Sequence, residues 1–143
     1  MTTVHPQDAE YESRVRQNFS RQPVMKLIGA DLRRVEPGAI DIALPYRLDL
    51  TQQNSYLHAG ILTTVADSAC GYAAYTLMPA GADVLSVEFK MNLLRPAIGD
   101  LFVAEARVLK AGRTLTVVRC DVYAQAGDET KMVATMLATI IRR

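Results

Sequence analysis

The sequence predicts an α+β protein in which a curved antiparallel sheet wraps around one long central helix. Three observations carry this. The apolar segment Ala59 to Met78 holds a single charged residue, Asp67, and a helix of about 20 residues would span roughly 30 Å. Four runs of alternating apolar and polar residues follow it, and a pair of runs precedes it across the turn pair Pro37-Gly38, the second of which, Ala39 to Tyr46, alternates. Alternation joined by short Gly-containing turns marks antiparallel strands with one face covered, and the apolar helix is the element available to cover that face.

The elements are justified in chain order. Tyr11, Val15 and Phe19 recur every four residues within Gln7 to Gln22, between Pro6 and Pro23, which predicts a short amphipathic covering helix. Lys26 to Glu36 and Ala39 to Tyr46 read as a hairpin. Asp49 to Leu57 has no period and reads as a loop. The long helix begins at Ala59 and runs until Pro79, which lacks an N–H. Val84 to Leu94 then places Leu85, Val87, Phe89, Met91 and Leu93 on one face. Asp100 to Lys110 aligns Phe102, Ala104, Ala106 and Val108; Thr114 to Gln125 aligns Val118, Cys120 and Val122; Lys131 to Ile141 aligns Met132, Ala134, Met136, Ala138 and Ile140. A meander-like order is expected for these four.

A chain of 143 residues suits one domain, residues 1–143, with residues 1–25 as a helical extension. The apolar share of 50% rules out a disordered chain, and a net charge of +1 gives no support to nucleic-acid binding. Cys70 and Cys120 form no Cys-x-x-Cys pair, and His5 and His58 show no metal-ligand spacing, so no metal site is expected. The apolar segment fails as a membrane span because Thr63, Thr64, Asp67, Ser68 and Thr76 interrupt it. Met1 to Glu12 carries no secretory pattern, so the expected location is cytoplasmic with both thiols free.

Chemistry points to two places. A carboxylate in the middle of the most apolar helix must be paired, neutralised or set at a wet cleft, which singles out Asp67. The helix start Tyr56-Leu57-His58-Ala59-Gly60 offers backbone N–H groups without helical partners, suited to a developing oxyanion, with Gly60 allowing close approach. No Gly-x-Ser-x-Gly elbow is present.

The segment Leu50-Thr-Gln-Gln-Asn-Ser-Tyr-Leu-His-Ala-Gly-Ile-Leu-Thr-Thr-Val-Ala-Asp-Ser-Ala resembles hotdog-fold acyl-CoA thioesterases of the phenylacetate-degradation (PaaI-like) type. Val84 to Asp100 resembles that family's strand after the central helix, and Val108-Leu-Lys-Ala-Gly-Arg its following hairpin. The resemblance implies hydrolysis of a small or medium acyl-CoA, with the Gly60 amide polarising the thioester carbonyl. Asp67 would activate water or attack directly, and Ser86 would position the water. His58 matches the histidine of the family's His-Gly-Gly start, whose middle residue is Ala59 here. The family's frequent Asn six residues before that histidine is replaced by Gln52 here, with Asn54 nearer, and either amide could serve the site.

Among the cations that follow the helix, Arg113 matches a position where related enzymes meet the nucleotide end of coenzyme A. Arg95, Lys90 and Lys110 are further candidates. Coenzyme A would be part of the substrate, and no separate cofactor is expected. The resemblance also implies a site between subunits of a homodimer or homotetramer. Competing readings are an acyl-thioester hydratase or dehydratase pairing His58 with Asp67, and a non-catalytic acyl-CoA-binding protein.

Overall fold

The computed structural model describes residues 4–143, in the order α1 (Tyr11–Ser20), α2 (Pro23–Ile28), β1 (Asp31–Glu36), β2 (Ala39–Pro45), α3 (Ala59–Tyr75), β3 (Val84–Leu93), β4 (Leu101–Ala111), β5 (Leu115–Ala126) and β6 (Glu129–Arg142). All six strands form one antiparallel sheet in the order β1-β2-β4-β5-β6-β3. Helix α3 lies across the inner face, touching every strand from β2 to β6. This is the fold expected from the sequence. No helix among the described residues is long and apolar enough to cross a membrane.

The inner face is apolar because the alternation is. Phe102, Ala104 and Ala106 of β4, Val118, Cys120 and Val122 of β5, and Ala134, Met136, Ala138 and Ile140 of β6 are all buried against α3. The helix answers with Leu62, Val65, Ala66, Ala69, Cys70, Ala73 and Ala74. Its small side chains let the sheet approach closely, and each large apolar side chain buried there contributes about 1.5–3 kcal/mol.

Several sequence expectations are corrected. The covering helix is shorter than Gln7 to Gln22, and the strand expected from Lys26 starts only at Asp31. Residues 23–28 form a second helix because Pro23 sits in its first turn and Gly29, at φ 79°, closes it in the left-handed conformation. The loop from Asp49 contains a 3-10 turn, Leu48–Leu50, and an isolated bridge between Thr51 and Leu57.

The long helix stops at Tyr75, short of Pro79, where its bonding tightens into three-residue turns, Leu77 N–H to Ala74 O at 3.1 Å and Met78 N–H to Tyr75 O at 3.2 Å. Arg14 Nη2 donates to Tyr75 O at 3.2 Å and Met78 O at 2.9 Å, while its guanidinium stands 4.2 Å from the Tyr75 ring centre. Asp8 accepts from Arg14 Nε at 2.8 Å and holds it there. A cation at a helix C-terminus also meets the negative end of the dipole.

The expected four-strand meander is only partly present. Strands β4, β5 and β6 follow one another, but β3 crosses to the far edge and pairs only with β6. The alternation of β3 is also broken, by a bulge between Ser86 and Glu88. Ser86 therefore pairs with inward-facing Ile140, while Leu85 pairs with Ile141 and leaves the face shared by Phe89, Met91 and Leu93. The extra residue turns a hydroxyl toward α3 where strict alternation would have put a leucine.

Candidate active site

Asp67 sits half-buried at mid-helix on the stripe of α3 that the sheet leaves uncovered. Its Oδ1 accepts a hydrogen bond of 2.5 Å from Ser86 Oγ. The carboxylate is thus neither sealed in the core nor loose in solvent: it lines a cleft of about 260 Å³ between α3, the start of β3 and the N-terminal helices. Helix α1 contributes Asn18 and the residue before α2 contributes Gln22. Gln22 Nε2 donates to Tyr72 Oη at 2.9 Å, Tyr72 Oη donates to Asn18 Oδ1 at 3.0 Å, and Ser68 Oγ donates to Gln22 Oε1 at 3.0 Å. Burial raises the Tyr72 phenol above its ordinary pKa, so it remains a hydroxyl donor.

The helix start forms a second, separate feature. His58 is the N-cap, in extended conformation, and its Nδ1 accepts the Gly60 N–H at 2.8 Å. The imidazole therefore carries no proton on Nδ1. An added Cβ at Gly60 would meet His58 Nδ1 at 3.0 Å, so glycine is what lets the ring fold back over the amide. A carbonyl binding at Gly60 must share or displace that acceptor. Ala59 N–H has no hydrogen-bond partner among the described residues.

Seven residues separate Gly60 from Asp67, two turns on one stripe and about 10 Å along the axis. One protomer does not bring the helix start and the acid to a single reacting carbonyl, nor does it bring His58 to Asp67.

The remaining sequence candidates divide among other surfaces. Gln52 lines a cleft of about 380 Å³ beside the helix start, together with Leu62, Leu93 and Arg95. Its Oε1 accepts from Asn54 N–H at 2.5 Å and Tyr56 N–H at 3.4 Å, so the amide shapes the loop that leads into α3. Asn54 lines a different hollow with Tyr46 and Asp100. Arg95 Nη1 donates to Met132 O at 2.6 Å. Lys90 lies opposite exposed Leu137 on the outer face, and Lys110 is exposed near the end of β4; neither lines the cleft at Asp67 or at the helix start.

Arg113 lines a third cavity, about 300 Å³, with His5, Gln7, Thr116 and Arg142 and no carboxylate. Arg142 pairs with Val84, which borders the Asp67 cleft, so the cationic cavity and the acidic cleft are neighbours. Sequence reasoning missed Arg142, Asn18, Gln22 and Asp83, since none lies in a motif and only the fold brings them to these cavities.

Cys70 and Cys120 meet in the core, both fully buried and unbridged. Their mutual interaction and burial push the Cys120 thiol well above its ordinary range, which suits packing and not nucleophilic attack.

Known proteins share this fold. Residues 54–131 match the model of the Thioesterase superfamily, a span that holds the helix start, Asp67 and Ser86. The chain belongs to that superfamily and has its hotdog fold, and thioester hydrolysis is the class of reaction this membership carries. Among solved structures, a Thioesterase family protein from Silicibacter pomeroyi is 50% identical, with a TM-score of 0.91 over 92% of this chain and 97% of the other. The E. coli PaaI protein, from the phenylacetic acid degradation operon, shares the fold at a TM-score of 0.85 over 94% of each chain, with 18% identity. A protein of Saccharolobus solfataricus, provisionally named an esterase, is 31% identical over 98 residues, covering 68% of this chain and 69% of its own.

Proposed function

We propose that this protein hydrolyses small or medium acyl-CoA thioesters to a free acid and coenzyme A, with Asp67 activating the attacking water. The hydrogen bond from Ser86 Oγ to Asp67 Oδ1 is the observation that carries the reading, because it holds a half-buried carboxylate at a cleft that, among the described residues, no cation lines. Asp67 takes a proton from water as the oxygen attacks the carbonyl carbon. The carbonyl oxygen becomes an oxyanion facing the N–H groups of Ala59 and Gly60, and collapse of the tetrahedral adduct expels the thiolate. Ser86 positions the carboxylate. Arg113 and Arg142, in the cavity next to the cleft, supply charge for the phosphates of coenzyme A.

The 10 Å between acid and helix start is the reason for reading the active unit as at least a homodimer, in which the helix start of one copy completes the site of the other. Two further features support it. Strand β3 is an edge with unpaired backbone groups, and Leu85, Val87, Phe89, Leu93 and Leu94 on or beside it are each between 42% and 55% exposed.

A panel of acyl-CoA esters scored by trapping the released thiol tests the reaction, run beside a solution mass measurement. Wild-type protein should release thiol from at least one short acyl ester and sediment as a dimer or larger. Asp67→Asn should lose about 10²–10⁴-fold in turnover, the range of a general base, with circular dichroism unchanged. A monomer, or full turnover in the variant, refutes the mechanism.

A further inference from the structure

Resting on the thioesterase reading, we infer that the Asn18–Gln22–Gly71 side of the Asp67 cleft receives the acyl end of the substrate and selects a short, uncharged acyl group bearing an oxygen function. The reacting carbonyl must come within about 3–3.5 Å of its attacking atom, so one end of the thioester enters the cleft beside Asp67. The cleft is lined by Asp67 and Asp83 and, among the described residues, by no Lys or Arg, whereas Arg113 and Arg142 line the neighbouring cavity; the phosphates of coenzyme A suit that cavity, which leaves this cleft to the acyl end.

Gly71 shows that the space is kept open. It lies one turn beyond Asp67 on the same stripe of α3, and an added Cβ there would meet nothing within 4 Å. Mid-helix glycine is less stable than alanine, and no tight contact or positive φ at this position requires it. The cleft volume of about 260 Å³ lies below the ~300–1,000 Å³ of pockets that enclose drug-sized ligands, which suits a short acyl group.

The chemistry of the wall sets the preference. Tyr72, Gln22, Asn18 and Ser68 satisfy one another through the bonds described above, yet among the described residues the Asn18 amide nitrogen has no acceptor and one N–H of Gln22 is likewise unspent. These donors suit a hydroxyl or keto oxygen. Two carboxylates in the same cleft repel an acyl carboxylate.

The test uses four-carbon esters that differ in one group, with the full-length protein and thiol trapping. Wild type should prefer 3-hydroxybutyryl-CoA to butyryl-CoA by about three- to tenfold in kcat/KM, and butyryl-CoA to succinyl-CoA by about tenfold or more. Asn18→Ala should erase the first preference and leave the second. Gly71→Leu, which replaces a poor helix former with a good one, should lower kcat/KM for butyryl-CoA by about tenfold or more while acetyl-CoA changes less than about twofold. Equal loss for all acyl groups, no loss, or a preference for succinyl-CoA overturns the inference. A wild type that releases thiol from no ester overturns instead the reading it rests on, a distinguishable outcome.

Discussion

Removing the Ser86 hydroxyl is the sharpest probe of how the acid is held. Ser86→Ala deletes a hydrogen bond of 2.5 Å to one oxygen of Asp67. A bond to a charged acceptor is worth about 1.5–3 kcal/mol, and because this pair lies at a solvent-open cleft the lower part of that range applies, about 1.5–2 kcal/mol. If the bond fixes the carboxylate in its reactive orientation, kcat falls by roughly ten- to thirtyfold with KM little changed. The decisive measurement is the double-mutant cycle by thiol release under saturating substrate. In an Asp67→Asn background, Ser86→Ala should cost less than about twofold, since it acts only through the group already removed. Multiplicative losses would show that Ser86 works independently of Asp67, and the positioning role would be wrong.

Other expectations follow from the packing. Arg14→Ala uncaps the C-terminus of α3, leaving Tyr75 O and Met78 O without their charged donor and Asp8 without its partner. Urea unfolding should show a loss of about 2–4 kcal/mol, and Arg14→Lys should restore less than half, because an ammonium lacks the fork that reaches all three acceptors. His58→Ala removes the N-cap acceptor of Gly60 and should lower the melting temperature by about 2–4 °C, from about 1 kcal/mol, whereas His58→Asn should hold most of it. An unchanged melting temperature in the Ala variant would mean the cap is not formed. Neither Cys70 nor Cys120 should react with a thiol reagent in the folded protein at pH 8, and both should react in urea. The Cys120 thiol is raised in the folded state, so the native protein keeps a proton the unfolded chain gives up. Stability should therefore fall as pH climbs above about 8.5. Stability rising over that interval would contradict the buried contact.

Much of this architecture was legible in the order of residues because hydrophobic periodicity is local. The inward faces of β4, β5 and β6 appear at the spacing the alternation implies, and α3 covers them as a nearly uncharged helix must. Asp67 stood out for the same reason: one carboxylate among apolar neighbours is a local anomaly. The start of α3 was visible as a glycine two residues past a histidine, although the imidazole's hold on the Gly60 amide was not.

Tertiary structure decided the rest, since it depends on contacts between residues far apart in the chain. No pattern in Val84 to Leu94 announces the bulge that turns Ser86 inward; it becomes apparent only when β3 pairs with β6. The crossing of β3 to the sheet edge, the second helix at Pro23–Ile28 and the cleft wall built from Asn18 and Gln22 are likewise products of assembly. Periodicity sets which side of an element is apolar, through the free energy of removing that side from water. It does not set which elements become neighbours, and a cleft is made by neighbours.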